Sequence, residues 1–288
     1  MNNSLQQLKR IVAKTFRKAK RWYATYLACQ IAVLVFAVVS IFAQLNPNLS
    51  ALFAFLGVLA TECFRWRSDW WKSEGESAKR KWEIVDGLGI AVDSRDVADW
   101  LAARPSGFLD DLTTDEIRGS EFDSGQPAGP LRVLENTQES AWWSKHLSRR
   151  MVVCLCALLL LVVIGAFAAL TISIGELKAA NLQRSGAVVQ NVGGIICAVL
   201  MFVFSVNLIR LLADFAAFAS IAEDILRRTA DLKRPTVEER DALSLMHDYQ
   251  TARNSAPLLP TFIWHLNGEH LREQWALFRP KGKQLNSP

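Results

Sequence analysis

Charge is missing from three long stretches of this chain. Tyr23 to Gln44 contains no Asp, Glu, Lys or Arg, Met151 to Ile174 contains none, and Val192 to Ile209 is an uncharged run of eighteen. About 20 apolar residues suffice for a helix to cross a ~30 Å hydrocarbon core, so each stretch is expected to span a membrane. The chain is 51% hydrophobic and 21% charged over 288 residues, and the two classes are segregated. That segregation excludes an ordinary soluble domain. A fourth segment, Leu49 to Thr61, runs only thirteen residues before Glu62. It follows the turn Asn46-Pro47-Asn48, so it must return as the second arm of a hairpin. The expected fold is an all-α membrane protein with four transmembrane helices in two hairpins and helical cytoplasmic extensions.

Catalytic signatures are absent as well. There is no phosphate loop, no nucleophile elbow and no HExxH. Of the four histidines, His265 and His270 stand five apart, which suits neither one helix face nor a zinc site. The five cysteines (Cys29, Cys63, Cys154, Cys156, Cys197) all lie in or beside apolar segments, with no metal or disulfide spacing. They read as small apolar packing residues. No enzyme, no cofactor and no metal are expected. No cleavable signal peptide is expected either, because no small-residue cleavage site follows the first apolar run.

Acid is absent from residues 1–22, which carry Lys9, Arg10, Lys14, Arg17, Lys18, Lys20 and Arg21. Arg65, Arg67, Lys72, Lys79, Arg80 and Lys81 follow the second span, and Lys145, Arg149 and Arg150 precede the third. The opposite loops hold only Lys178 and Arg184. By the positive-inside bias both termini and the central segment are expected to be cytoplasmic, in a multi-pass inner-membrane protein. Trp22, Trp66, Trp70, Trp71, Trp142 and Trp143 sit beside those same membrane ends, where amphipathic rings prefer the headgroup layer. Little soluble mass is left outside, which argues against a receptor for external ligands.

The divisions expected are a basic amphipathic N-terminal helix (1–22), a first hairpin (23–64), a cytoplasmic helical segment with a flexible linker near 106–130 (65–150), a second hairpin (151–212) and a C-terminal cytoplasmic helical region (213–288). Leu5, Leu8, Ile11, Val12 and Phe16 share one stripe of the first helix, which suits anionic lipid or the protein's own helices. The second span is expected to continue to Gly87 or Gly89, and Asp93 or Ser94 to cap a short helix ending at Pro105. Residues 65–150 carry 13 Lys+Arg against 16 Asp+Glu, so no nucleic acid polymer is expected as a partner. Phe204, Leu208, Leu211, Phe215, Phe218, Ala222 and Ile225 form a heptad-like stripe, read as one rod from the bilayer to about Lys233. Helices are then expected from Pro235 to about Ala252, and from Pro260 to about Phe278.

Polar residues at membrane depth are the candidate functional positions. Asn207, Arg210 and Asp214 are spaced for one helix face. They form either an interfacial Arg210–Asp214 pair or the mouth of an oligomeric pore. Glu62 lies about 20 Å past the outer turn at 1.5 Å per residue, where a carboxylate costs a few kcal/mol unless paired or wet. Gln30 lies at similar depth, so a contact of Glu62 with Arg210 or Gln30 is expected.

The most distinctive text is HDYQTARNSAPLLPTFIWHLNGEHLREQW, residues 247–275. Its Tyr249, Arg253, Ala256, Pro257, Pro260, Trp264 and Trp275 resemble a pattern in bacterial four-transmembrane effectors of the S-4TM type. In that family a Tyr-bearing helix, an Ala-Pro-x-x-Pro turn and an aromatic final helix follow the last span. The resemblance implies a pore-forming effector of nucleotide-signalling anti-phage (CBASS-like) systems, acting as a homo-oligomer in the lipid bilayer. Its signal would be a cyclic nucleotide or a cytoplasmic partner protein; the residues that bind it are not specified. Two other readings fit the same layout, a non-conducting membrane anchor or scaffold and a small-solute channel or transporter.

Overall fold

The computed structural model describes residues 2–43, 46–91, 93–113, 122, 124–179, 193–194, 196, 199–200, 202–203, 206–232 and 237–278. Among these residues there is no strand. The helices are α1 (Asn2–Phe42), α2 (Pro47–Leu88), α3 (Ser94–Ala102), α4 (Pro130–Ala179), α5 (Leu208–Asp231), α6 (Glu239–Ser255) and α7 (Thr261–Phe278). Three of them, α1, α2 and α4, are long and apolar enough to cross a membrane. The fourth expected span, Val192 to Ile209, falls partly outside the described residues, and most of the loop carrying Lys178 and Arg184 lies outside them.

The chain divides into two compact units, one of residues 1–9, 79–151 and 215–288, the other of 10–78 and 152–214. Residues 10–22 join the first hairpin, and the second arm of that hairpin continues to 78.

In the second unit α1 and α2 pair antiparallel along a long seam. Phe36 meets Phe53 at 5.5 Å between ring centroids, Trp22 stacks on Phe64 at 5.7 Å, and Lys18 lies 4.6 Å over Trp71. Small residues keep the backbones close. Ser68 Oγ donates to the Ala19 carbonyl at 3.0 Å, and a Cβ on Gly75 would stand 3.1 Å from Thr15 Oγ1. At Gly57 a Cβ would lie only 2.5 Å from Val33 Cγ2. Thr15 satisfies its own buried hydroxyl by donating to the Ile11 and Val12 carbonyls.

The seam decides one expectation and corrects another. Ile11, Val12, Thr15 and Ala19 are buried, so of the two surfaces expected for the apolar stripe of the first helix, lipid or the protein's own helices, it packs against protein. Trp71 is buried too, a core residue and not a headgroup anchor, whereas Trp66 is exposed. At about 62 Å by its 41 residues, α1 exceeds the hydrocarbon thickness roughly twofold.

In the first unit α2 ends where expected. Gly89 has φ +72°, and its N–H donates to the Val85 carbonyl at 3.0 Å. Asp93 caps α3 by accepting from the Arg95 N–H at 2.9 Å. Phe108 and Leu109, inside the expected linker, are buried, and Phe108 meets Trp100 edge-on; residues 114–121 and 123 of that linker lie outside the described set. Helix α6 starts at Glu239 rather than at Pro235 and runs to Ser255. Its Leu245, Tyr249 and Ala252 close a core with Leu134 and Ala141 of α4 and Phe218, Ala222 and Ile225 of α5.

The rod expected through residue 207 is broken. Asn207 has φ +53°, the left-handed region, and α5 starts only at Leu208, with the Leu211 N–H donating to the Asn207 carbonyl. Asparagine tolerates that conformation better than other non-glycine residues. Its amide at the end of an apolar run therefore has a backbone explanation.

Candidate functional site

The residues of the C-terminal pattern converge on the first unit's interior. Helix α6 presents Tyr249, Gln250 and Arg253 on one face, three and four apart, and all three are buried. Arg253 forms a two-pronged ion pair with Glu83 of α2, with Nη2 to Oε2 at 3.1 Å, and Gln250 Nε2 donates to the same carboxylate at 2.8 Å. Lys79 stands 4.0 Å from Glu83 one turn earlier. Burial alone would raise the Glu83 carboxyl, but Arg253 first, then Lys79 and the donated hydrogen bonds, hold it below the ordinary range.

Tyr249 ties α6 to α4. Its hydroxyl donates to the Ser140 carbonyl at 3.0 Å and pairs with Ser144 Oγ at 2.8 Å, while its ring stacks on Phe218 at 6.4 Å. Pro257 and Pro260 bound the extended connection to α7, and Ala256 and Leu258 are buried within it. Trp264 then meets Trp143 at 4.9 Å, and Trp275 meets Trp142 at 5.3 Å. Helix α7 thus docks on the segment of α4 before the apolar run. Trp142 is buried, so like Trp71 it serves a core.

Beside this pair lies a second polar network. Asp86, one turn past Glu83, takes a bidentate pair from Arg132 of α4 (3.2 and 2.9 Å), and Asn136 Nδ2 donates to Asp86 at 2.8 Å. Arg132 also donates to the Gln126 carbonyl at 2.8 Å, pinning the loop before α4. Phe122 stacks face to face on Trp82, 4.9 Å between centroids and 5° from parallel. Glu83, Phe122, Val133, Asn136, Thr137, Ser140, Met246 and Tyr249 line a small cavity between these networks. Sequence reasoning placed Glu83 and Asp86 in the continuation of the second span and gave them no role. The available signal was a carboxylate set among Trp82, Ile84 and Val85.

The intramembrane candidates make mostly local contacts. Glu62 pairs with Arg65 at 2.8 Å, one turn along its own helix, and both side chains are over two-fifths exposed. Arg210 reaches Asp214 at 3.7 Å and is itself exposed. Glu62 and Arg210 each pair along their own helix, in i,i+3 and i,i+4 pairs of the kind that contributes tenths of a kcal/mol. The Arg210–Asp214 pair is one of the two arrangements expected for those residues. Gln30 is buried and hydrogen-bonds within reach of Tyr26. Asn207 precedes α5, so it does not share a helix face with Arg210 and Asp214.

Among the described residues no group of His, Cys, Asp and Glu is arranged to hold a metal ion. Cys63, Cys154 and Cys156 are free and exposed on the spanning helices, and Cys29 is half-buried with its sulfur 4.0 Å from the Gly57 carbonyl. No family model matches the chain, and no curated protein or solved structure is significantly similar to it.

Proposed function

We propose that the protein is an inner-membrane effector that permeabilises the bilayer as a homo-oligomer when its cytoplasmic helical unit receives a signal. The observation that carries this reading is the unsatisfied apolar face of the spanning helices. Val153, Leu160, Leu161, Ile164 and Phe167 of α4 and Phe53, Phe55, Leu56 and Leu59 of α2 are all exposed, and a Cβ on Gly165 would meet nothing within 4 Å. Such faces need lipid or further copies. So few spans enclose no generous pore in one copy, which is why the reading requires an oligomer.

The signal-receiving part is the unit in which α2, α4, α5 and α6 share a core. A signal that repacks it, a cyclic nucleotide or a partner protein, acts on helices that continue into the apolar segments. The C-terminal pattern supports the same reading, because its Tyr249, Arg253, Trp264 and Trp275 make the contacts that hold the unit together.

The test is dye release from liposomes containing the purified protein, alone and with a panel of cyclic di- and trinucleotides. Release switched on by one nucleotide is the expected result. No release from protein shown to be folded and inserted would favour a scaffold working through residues 65–150. Solute-dependent flux without general leakage would favour a transporter.

A further inference from the structure

The cavity beside Glu83 has a property that its protein neighbours leave unresolved. Asn136 is 5% exposed, and among the described residues its Oδ1 has no hydrogen-bond partner. The amide cannot be turned over to cure this. Its Nδ2 donates to Asp86 at 2.8 Å, and the reversed amide would set oxygen against that carboxylate. Asn136 lines the cavity, and with its Nδ2 held by Asp86 its Oδ1 is the polar atom left to meet an occupant. A buried acceptor left unmet costs about 1–3 kcal/mol.

The second acceptor in the wall is Glu83. An ionised carboxylate has about four lone-pair sites, and Arg253 and Gln250 donate three hydrogen bonds to it. The remaining walls are largely apolar, from Phe122, Val133 and Met246. The volume is about 10 Å³, room for one water-sized group. Thr137 and Ser140 add hydroxyls to the wall, and a metal cation is disfavoured beside the Arg253 guanidinium.

We propose that this cavity is a binding site for a single water molecule, which donates one hydrogen bond to Asn136 Oδ1 and the other to Glu83. The water joins the Glu83–Arg253–Gln250 and Asp86–Arg132–Asn136 networks into one, adding to the direct side-chain bonds that already link α2, α4 and α6. The inference does not depend on the membrane-effector reading.

The test is a crystal structure of the full-length protein in a lipidic mesophase, at a resolution that shows ordered water, from ammonium-free buffer. The expected result is a density peak in the cavity at hydrogen-bonding distance, about 2.7–3.2 Å, from Asn136 Oδ1. An empty cavity overturns the proposal, and so does an Oδ1 met by a protein donor. A peak found only in crystals grown with ammonium salts also overturns it, because the occupant is then a cation.

Discussion

Glu83 and Arg253 are buried together, and neither is tolerable alone. Removing one partner of such a pair leaves a charge in a low-dielectric interior, at a cost of about 3–5 kcal/mol. Arg253→Met is therefore expected to lower the melting temperature of the detergent-solubilised protein sharply. Pairing it with Glu83→Leu should recover most of the loss, because apolar replacement of a whole buried pair is often neutral. A single variant that melts like the parent would contradict the burial. The same pair sets a pH dependence. Since the folded Glu83 carboxyl is held below its ordinary range, its contribution is present above the unfolded pKa and lost as pH falls through the carboxylate range. Melting curves from pH 7 to about pH 3 should show the loss, and Glu83→Gln should flatten it. Asn207 makes a different prediction. Its left-handed backbone admits glycine freely, whereas a β-branched residue there costs about 1–2 kcal/mol. Asn207→Gly should melt near the parent temperature and Asn207→Val well below it.

Elements whose determinants are local were legible in the sequence. The Gly89 stop, the Asp93 cap and the span of α7 all follow from turn chemistry or periodicity, and the structure places them there. Two features were hidden for physical reasons. A seven-residue stripe shows that residues could face a partner helix, but not that residue 207 must adopt positive φ. The first helix's stripe left lipid and the protein's own helices both open, because the residues that pack against it lie some 50 positions further on. Gly57 is the clearest case. Within an apolar run it resembles any small residue, yet it is where Val33 enters. An exposed helical Gly→Ala change normally gains up to about 1 kcal/mol. Here the new Cβ meets Val33, a β-branched side chain with little rotamer freedom in a helix. Gly57→Ala is expected to destabilise the hairpin in thermal unfolding, and the Val33→Ala background should relieve the cost. Additive effects would show that the two sites do not touch.

Across the molecule, the partition of charge was readable from composition and the placing of charged pairs was not. The long apolar helices could be found because a bilayer demands one continuous property. The candidate site could not, because Glu83, Asn136 and Arg253 come together only through tertiary contacts. The membrane assignment has its own check in Cys154 and Cys156, which are exposed yet lie in the apolar run of α4. In a variant whose only cysteines are these two, a water-soluble maleimide should label slowly in intact membranes and rapidly once detergent removes the lipid. Equal rates would place that stretch of α4 in water.

The distance in sequence between Glu83 and Arg253, 170 residues, bears on how the protein is made. A chain emerging from the ribosome exposes α2 and α4 long before the counter-charge for Glu83 has been synthesised. The core around that carboxylate can close only when α6 (Glu239–Ser255) arrives, well after α2 and α4 have been made. Chains released early carry membrane-length helices but not a finished helical unit. The ion pair thereby forms only after the apolar segments that precede α6 are already able to enter a bilayer.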